Sequence, residues 1–274
     1  MTELEGPAGR FLALHYGDSP LLQPNAWDAG SARVLEAMGF EAIATTSSGF
    51  AATLGRTDYQ VSRDEAIEHG RTVAAAVEIP VAADTENGFA DDPDGVAETV
   101  RLAAGTGLAG CSIEDHTGRS EDPIYDLGLA TERIVAAVEA AHAGPDHLVL
   151  TARAENHLHG RGDLADTIAR LQAYQEAGAD VLFAPGVVDL DDIRTLVDSV
   201  DRPVNVLALP GCPPVEALHE VGVARVSVGG AFAYAALGGL IAAATELRDA
   251  GTYNYWTQVG AARPIIGAAF EGRT

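Results

Sequence analysis

Pro80-Val81-Ala82-Ala83-Asp84-Thr85-Glu86 and Gly110-Cys111-Ser112-Ile113-Glu114-Asp115 each read as a short apolar run that ends in carboxylates. Parallel α/β barrels build their sites at the C-terminal ends of strands, so both runs put acids where chemistry is done. Asp84 and Glu86 are two residues apart. A strand continued to its end aims both side chains the same way, and Glu114 reaches them from a neighbouring strand. Three carboxylates facing one cavity repel each other unless a divalent cation or a shared proton holds them. The set predicts Mg²⁺ held by Asp84, Glu86 and Glu114, with Mn²⁺ as the alternative ion.

The rest of the chain repeats the same unit. Apolar β-rich runs at Leu21–Pro24, Ala42–Thr46, Val81–Asp84, Gly110–Glu114, Leu148–Arg153, Val181–Ala184, Val204–Leu207 and Arg225–Val228 alternate with helical stretches. The helices are expected at Ala29–Met38, Arg63–Ala76, Pro93–Thr106, Thr131–Ala143, Leu164–Ala177, Asp189–Ser199, Pro214–Val221 and Ala231–Arg248. Gly39, Gly107, Gly144, Gly178 and Gly222 stand where a left-handed residue closes a helix. Eight βα units in this length predict an α/β fold of the (β/α)₈ barrel type. An open doubly wound sheet would carry a Gly-rich phosphate loop after its first strand, and here Pro24-Asn25-Ala26-Trp27-Asp28 follows instead. Residues 1–274 therefore read as a single barrel domain. Its apolar tail from about residue 250 is expected to pack on the barrel or on a partner subunit.

Composition excludes several classes. A net charge of -23 argues against nucleic acid as a partner, because a phosphate backbone needs a basic face. No apolar run approaches the roughly 18 residues that cross a bilayer, so no membrane association is expected. Met1-Thr2-Glu3-Leu4-Glu5 lacks a basic-then-apolar signal segment, which predicts a cytoplasmic protein. Cys111 and Cys212 are expected to be reduced thiols, with Cys111 turned toward the helix layer. All 17 basic residues are arginine, so Schiff-base catalysis by a lysine is excluded.

Other polar groups gather at strand ends. Thr45-Thr46-Ser47-Ser48-Gly49 reads as a loop whose backbone N–H groups suit an oxyanion or carboxylate. Arg153, at the end of an apolar strand, requires an anion, either the acid cluster, a substrate carboxylate or Glu155. Asn205 lies inside another apolar run, where it binds substrate or satisfies a neighbouring backbone group. His116 is the acid/base candidate by position, while His15, His69, His142, His147 and His219 read as surface residues.

Taken together, Pro24-Asn25-Ala26-Trp27-Asp28, Thr46-Ser47-Ser48-Gly49, Gly55-Arg56-Thr57-Asp58, Asp84-Thr85-Glu86-Asn87-Gly88-Phe89, Ile113-Glu114-Asp115 and Thr151-Ala152-Arg153 fall in an order that resembles the isocitrate lyase/phosphoenolpyruvate mutase superfamily. The likeness runs over roughly Leu21 to Leu247 and points to its carboxyphosphonate mutase-like and methylisocitrate lyase-like branch. It implies a (β/α)₈ barrel whose last helix is exchanged between subunits of a homodimer or homotetramer. It also implies Mg²⁺ held largely through water by Asp84, Glu86 and Glu114, with Asp58 close by. Ser47, Ser48, Gly49, Arg153 and Asn205 would bind a small carboxylate substrate, and Arg153, His116 and Asp58 would be catalytic. The implied chemistry forms or breaks a C–C or P–C bond next to a 2-oxo acid.

The segment His116-Thr117-Gly118-Arg119-Ser120-Glu121-Asp122-Pro123-Ile124-Tyr125-Asp126 departs from that pattern. It has neither the thiol of the tricarboxylate lyases nor the lysine of the phosphonopyruvate enzymes. The expected activity is therefore a Mg²⁺-dependent lyase of a 2-oxo acid or 2-hydroxy polycarboxylate, by decarboxylation of the oxaloacetate type or by retro-Claisen cleavage. His116, Arg119 or Tyr125 is expected to close over the substrate. Phosphonate or carboxyphosphonate mutase or hydrolase chemistry is the alternative, and a non-catalytic dicarboxylate-binding barrel is the alternative of another class.

Overall fold

The computed structural model describes residues 6–143 and 147–271; Met1–Glu5 and the expected helix-ending Gly144 lie outside the described residues. Strands β1 (Leu21–Gln23), β2 (Asn25–Ala26), β3 (Ile43–Thr45), β4 (Val81–Asp84), β5 (Gly110–Glu114), β6 (Val149–Arg153), β7 (Val181–Phe183), β8 (Val204–Leu207) and β9 (Arg225–Ser227) form one parallel sheet. The first expected strand, Leu21–Pro24, ends at Gln23, and after Pro24, which has no N–H to give a ladder, the chain continues as a second short strand, β2, that was not expected. β1 pairs with β9 and β2 with β3. The two short strands thus join the ends of the sheet, and the nine strands make a nearly closed barrel of the (β/α)₈ type.

The helices are α1 (Gly6–Leu14), α2 (Ala29–Ala37), α3 (Ser47–Thr53), α4 (Arg63–Ala76), α5 (Pro93–Ala104), α6 (Leu127–Ala141), α7 (Leu164–Glu176), α8 (Leu190–Asp198), α9 (Val215–Glu220), α10 (Ala231–Thr245) and α11 (Trp256–Phe270). A π-helical turn, Glu246–Ala250, follows α10. Five aspartates and a serine serve as caps. Asp28, Ser62, Asp92, Asp126, Asp163 and Asp189 each accept a first-turn N–H, satisfying a donor that has no partner within the helix. The Asp126 cap starts α6 at Leu127, four residues before the expected Thr131. Three helices, α1, α3 and α11, were not expected from the sequence pattern.

Helix α1 closes the N-terminal end of the barrel. Phe11 is fully buried there among Ala8, Leu21, Ala42, Ala82, Ala109, Val149 and Val181, and the small alanines leave room for its ring. The larger apolar cluster fills the layer between sheet and helices and includes Cys111, as its strand parity predicts. Both cysteines are free thiols. α11 lies along α2. α10 is apolar on all sides yet buries only Ala233, leaving Leu240 and Ile241 64% and 66% exposed. Among the described residues no helix is long and apolar enough to cross a membrane.

Candidate active site

The acids at the C-terminal strand ends converge, by a different route from the expected one. β4 stops at Asp84, and the next residues form a tight turn in which Glu86, Gly88 and Phe89 have φ of 48°, 77° and 56°. Glu86 therefore reaches the cluster from a left-handed turn and does not share Asp84's strand face. Gly88 permits the turn, since a Cβ there would come within 3.1 Å of Val96. Arg133, 1% exposed, pins it by donating to the carbonyls of Asn87, of Ala90 at 2.9 Å and of Glu114 at 3.4 Å.

Arg153 holds the cluster together. Its guanidinium lies 3.1 Å from Asp84 Oδ1, 3.0 Å from Glu114 Oε2 and 2.8 Å from Glu155 Oε1. Two of the anions expected for this arginine, the acid cluster and Glu155, are thus met at once. Tyr59 donates its hydroxyl to Glu114 Oε1, and Ser47 N donates to Asp84 Oδ2 at 3.0 Å. Asp115, although next to Glu114, points the other way. Its carboxylate accepts from Glu155 N, Arg170 and Tyr174, which fixes the strand end and leaves it no part in the cavity.

The electrostatics are unbalanced. Asp58, Asp84, Glu86, Glu114 and Glu155 gather around the Arg153 guanidinium, with Arg225 as a second cation in the same cavity. Burial, reinforced by Asp84 and Asp58, pushes the Glu86 carboxyl up to about 8. Burial also raises Asp58, and it raises Glu114 well above the usual range despite Arg153. Glu86 Oε1 is buried with no hydrogen-bond donor. An orphaned carboxylate oxygen in an over-negative pocket fits a hard cation. Among the described residues, the one trio of His, Cys, Asp or Glu whose ligand atoms all lie within 4.8 Å is His142, His147 and Asp180, beside the starts of β6 and β7. Asp84, Glu86 and Glu114 do not form such a trio, so a cation among them would be reached in part through its own waters.

The Ser47-Ser48-Gly49 segment is the first turn of α3, where a loop was expected. Thr46 caps it by accepting from Gly49 N at 3.3 Å, so that amide and that of Ser47 are engaged inside the protein. Gly49 is needed for close approach, because a Cβ there would meet Ala233 at 3.1 Å and Trp27 at 3.2 Å. Ser47, Ser48, Asp58, Asp84, Arg153 and Asn205 all line one cavity of about 230 Å³ that opens at the C-terminal end of the barrel. Asn205 donates to Ser227 Oγ at 2.9 Å, not to a backbone group, and its Oδ1 has no partner.

His116 is buried and stacked on His159, with ring centroids 3.8 Å apart and Nδ1 3.8 Å from Glu114 Oε1. Burial and the neighbouring His159 and Arg153 lower it to about 4, so the ring is neutral near pH 7. Tyr125 and Arg119 do not close over the cavity. Both bind Asp91, and Tyr125 is buried beneath Arg133. Nor are the remaining histidines all surface residues: His15 is 5% exposed and His69 stacks on Phe50 at 3.9 Å. Tyr59 and Glu155 carried no sequence signal as site residues. Arg225, which also lines the cavity, stands in an apolar strand as Arg153 does.

The chain is similar to known proteins in both sequence and fold. The phosphoenolpyruvate phosphomutase family pattern matches residues 11–248. A crystal structure from Burkholderia cenocepacia J2315, whose lyase/mutase designation is provisional, superposes with a TM-score of 0.93 at 50% identity, covering 97% of this chain and 96% of that one. The 2-methylisocitrate lyase of Escherichia coli K12 is 29% identical over 82% of this chain and 78% of its own. The oxaloacetate decarboxylase of Pseudomonas entomophila L48 is 29% identical over 77% and 73%. A phosphonopyruvate hydrolase solved with oxalate and Mg²⁺ has a TM-score of 0.82 at 25% identity, covering 96% of this chain and 95% of that one.

Proposed function

The chain belongs to the phosphoenolpyruvate phosphomutase family, within the isocitrate lyase/phosphoenolpyruvate mutase superfamily, and from that premise we propose that it is a Mg²⁺-dependent carbon–carbon lyase of a 2-oxo acid. The observation that carries this reading is Arg153, which lines the cavity, bridging Asp84 and Glu114 within reach of the field of Glu86, whose Oε1 is orphaned. A planar guanidinium next to a cation site is suited to an oxygen that gains negative charge during reaction. Asp84, Glu86 and Glu114 would hold Mg²⁺, which when bound supplies charge stabilisation for a developing oxyanion.

In a decarboxylation of the oxaloacetate type, the C3–C4 bond breaks. Its electron pair moves into a C2–C3 double bond, the 2-oxo oxygen takes the charge, and CO₂ leaves. A proton then returns to C3 to give pyruvate. Arg153 orients the 2-oxo acid end, and Tyr59 and Glu155 hold Glu114 and Arg153 in place. The absence of a thiol or lysine in residues 116–126 favours this over tricarboxylate cleavage and over phosphonate chemistry.

The test is calorimetry with oxalate, a flat mimic of the pyruvate enolate, with and without Mg²⁺, on native protein, Glu114→Gln and Arg153→Met. Mg²⁺-dependent binding lost in both variants is expected, together with pyruvate and CO₂ from oxaloacetate. Oxalate and acetate as products would place the cleavage at C2–C3 instead. Absence of oxalate binding to the native protein with Mg²⁺ would sink the reading, and oxalate binding with no turnover of any 2-oxo acid would leave a dicarboxylate-binding barrel.

A further inference from the structure

At the opposite end of the barrel from the acid cluster, three segments of chain bring ligating side chains together. His142 closes α6, His147 stands two positions before β6, and Asp180 stands one position before β7. The five residues of β6, roughly 16 Å of strand, separate this group from the level of Arg153. Backbone bonds fix the three relative to one another. Leu148 N donates to Ala141 O at 2.9 Å, which ties the end of α6 to the start of β6, and Asp180 N donates to Leu150 O at 3.0 Å. The Asp180 carboxylate is oriented in turn, since its Oδ2 accepts from Leu150 N at 2.8 Å and from His142 Nε2 at 2.9 Å.

One ligand atom from each of the three lies within 4.8 Å of the other two. The imidazole rings of His142 and His147 stack, with centroids 4.3 Å apart and planes 12° apart. His147 Nε2 is buried and has no hydrogen-bond partner. A ring nitrogen shut off from water and left without a protein partner is unfavourable unless something else meets it. A bare cation is smaller than a water molecule, so it enters where a water does not. Both rings are half-buried at the protein surface, which gives an ion a path from solvent and the rings room to turn toward it. Drawing the ligand atoms in to the about 3.3 Å that separates neighbours around a tetrahedral Zn²⁺ takes shifts of no more than roughly 1.5 Å. Two imidazoles and a carboxylate suit Zn²⁺ and its transition-metal neighbours, whereas Mg²⁺ prefers oxygen alone. The bond from Leu150 N to Asp180 is the outer-shell contact that steadies a ligating carboxylate.

We propose that His142, His147 and Asp180 form a second metal site, separate from the acid cluster, that takes a divalent transition-metal ion of the Zn²⁺ class with water in the remaining position. The ion takes the place of the proton between His142 Nε2 and Asp180, and His142 changes to the tautomer with its proton on Nδ1. It thereby joins the end of α6 to the starts of β6 and β7, on the barrel face that serves stability and not chemistry. The site stabilises the fold and takes no part in turnover, so it does not rest on the lyase reading above.

The test uses whole protein stripped with a chelator and returned to saturating Mg²⁺. Zn²⁺ is then titrated by calorimetry, and Co²⁺ is followed by its visible absorption. Native protein is expected to bind one Zn²⁺ at this site, to give the strong bands of tetrahedral Co²⁺ that Zn²⁺ displaces, and to melt higher with Zn²⁺ than without it. His147→Gln is expected to weaken Zn²⁺ about tenfold or more and to abolish the Zn²⁺-dependent rise in melting temperature, with the metal-free melting temperature unchanged, because the lost nitrogen has no partner. His142→Gln keeps a donor for Asp180 and is expected to show the same loss; it serves as the test should the first variant not fold. Glu114→Gln is expected to keep native Zn²⁺ affinity. Absence of Zn²⁺ binding by native protein, or binding unchanged in both histidine variants, would overturn the site. Zn²⁺ binding lost in Glu114→Gln would also overturn it and place the ion in the acid cluster.

Discussion

Arg153 Nη2 lies 3.0 Å from Glu114 Oε2, and the two residues are direct register partners on adjacent strands β5 and β6. Barrel pairing alone therefore sets the acid beside the base, and no loop has to move to bring them together. A pair held on two strands is a rigid support for catalysis.

Arg153→Met leaves Asp84, Glu114 and Glu155 without their shared cation. Turnover should fall at least a hundredfold, and in Mg²⁺-free buffer the unfolding free energy should drop by about 3 kcal/mol, the scale for breaking a buried ion pair. Urea unfolding and initial rates measure the two effects. A variant with native turnover would remove Arg153 from the site.

Tyr59 has φ of 60° and is 40% exposed, yet its hydroxyl reaches Glu114. Tyr59→Phe deletes that bond and keeps the ring against His116. Activity and apparent Mg²⁺ affinity should fall about tenfold, with the melting temperature shifted by less than about 2 °C, because an exposed loop contributes little stability. A large fall in melting temperature with unchanged Mg²⁺ affinity would give Tyr59 a structural part only.

His15 supplies a pH signature. Its folded value, near 3, lies below the unfolded value of 6.5, so below pH 6.5 the unfolded chain binds a proton that the folded chain refuses. The contribution costs nothing above about pH 6.5 and destabilises progressively as pH falls toward 3, by at most ~1.4 kcal/mol per pH unit. Unfolding free energies of native protein and His15→Gln across pH 4 to 7 should therefore converge at acid pH. Parallel curves would mean that His15 is not buried neutral.

α10 presents Leu240 and Ile241 to solvent on a helix with no polar face. A second copy of the chain is the expected cover, as a dimer or tetramer in solution. Light scattering should report that oligomer for the native protein and a smaller species for Ile241→Glu. A native monomer would refute the expectation.

The order of the βα units and the acids at the ends of β4 and β5 were legible in the sequence, because apolar periodicity, caps and helix-ending glycines act over a few residues. Asp84, Glu114 and Arg153 fall where that local reading puts them. Glu86 does not keep its expected strand face, since the turn that carries it is stabilised by Arg133 from 46 positions along the chain. Tyr59 reaches Glu114 across 55 positions, and Arg225 reaches Thr151 across 74. Those partners exist only once the barrel has closed at Pro24 and Phe11 has filled its N-terminal end. The sequence by itself determined which residue types stand at strand ends. The tertiary structure decided which charges meet, because that depends on register, turn handedness and barrel closure, none of which is written in any one segment.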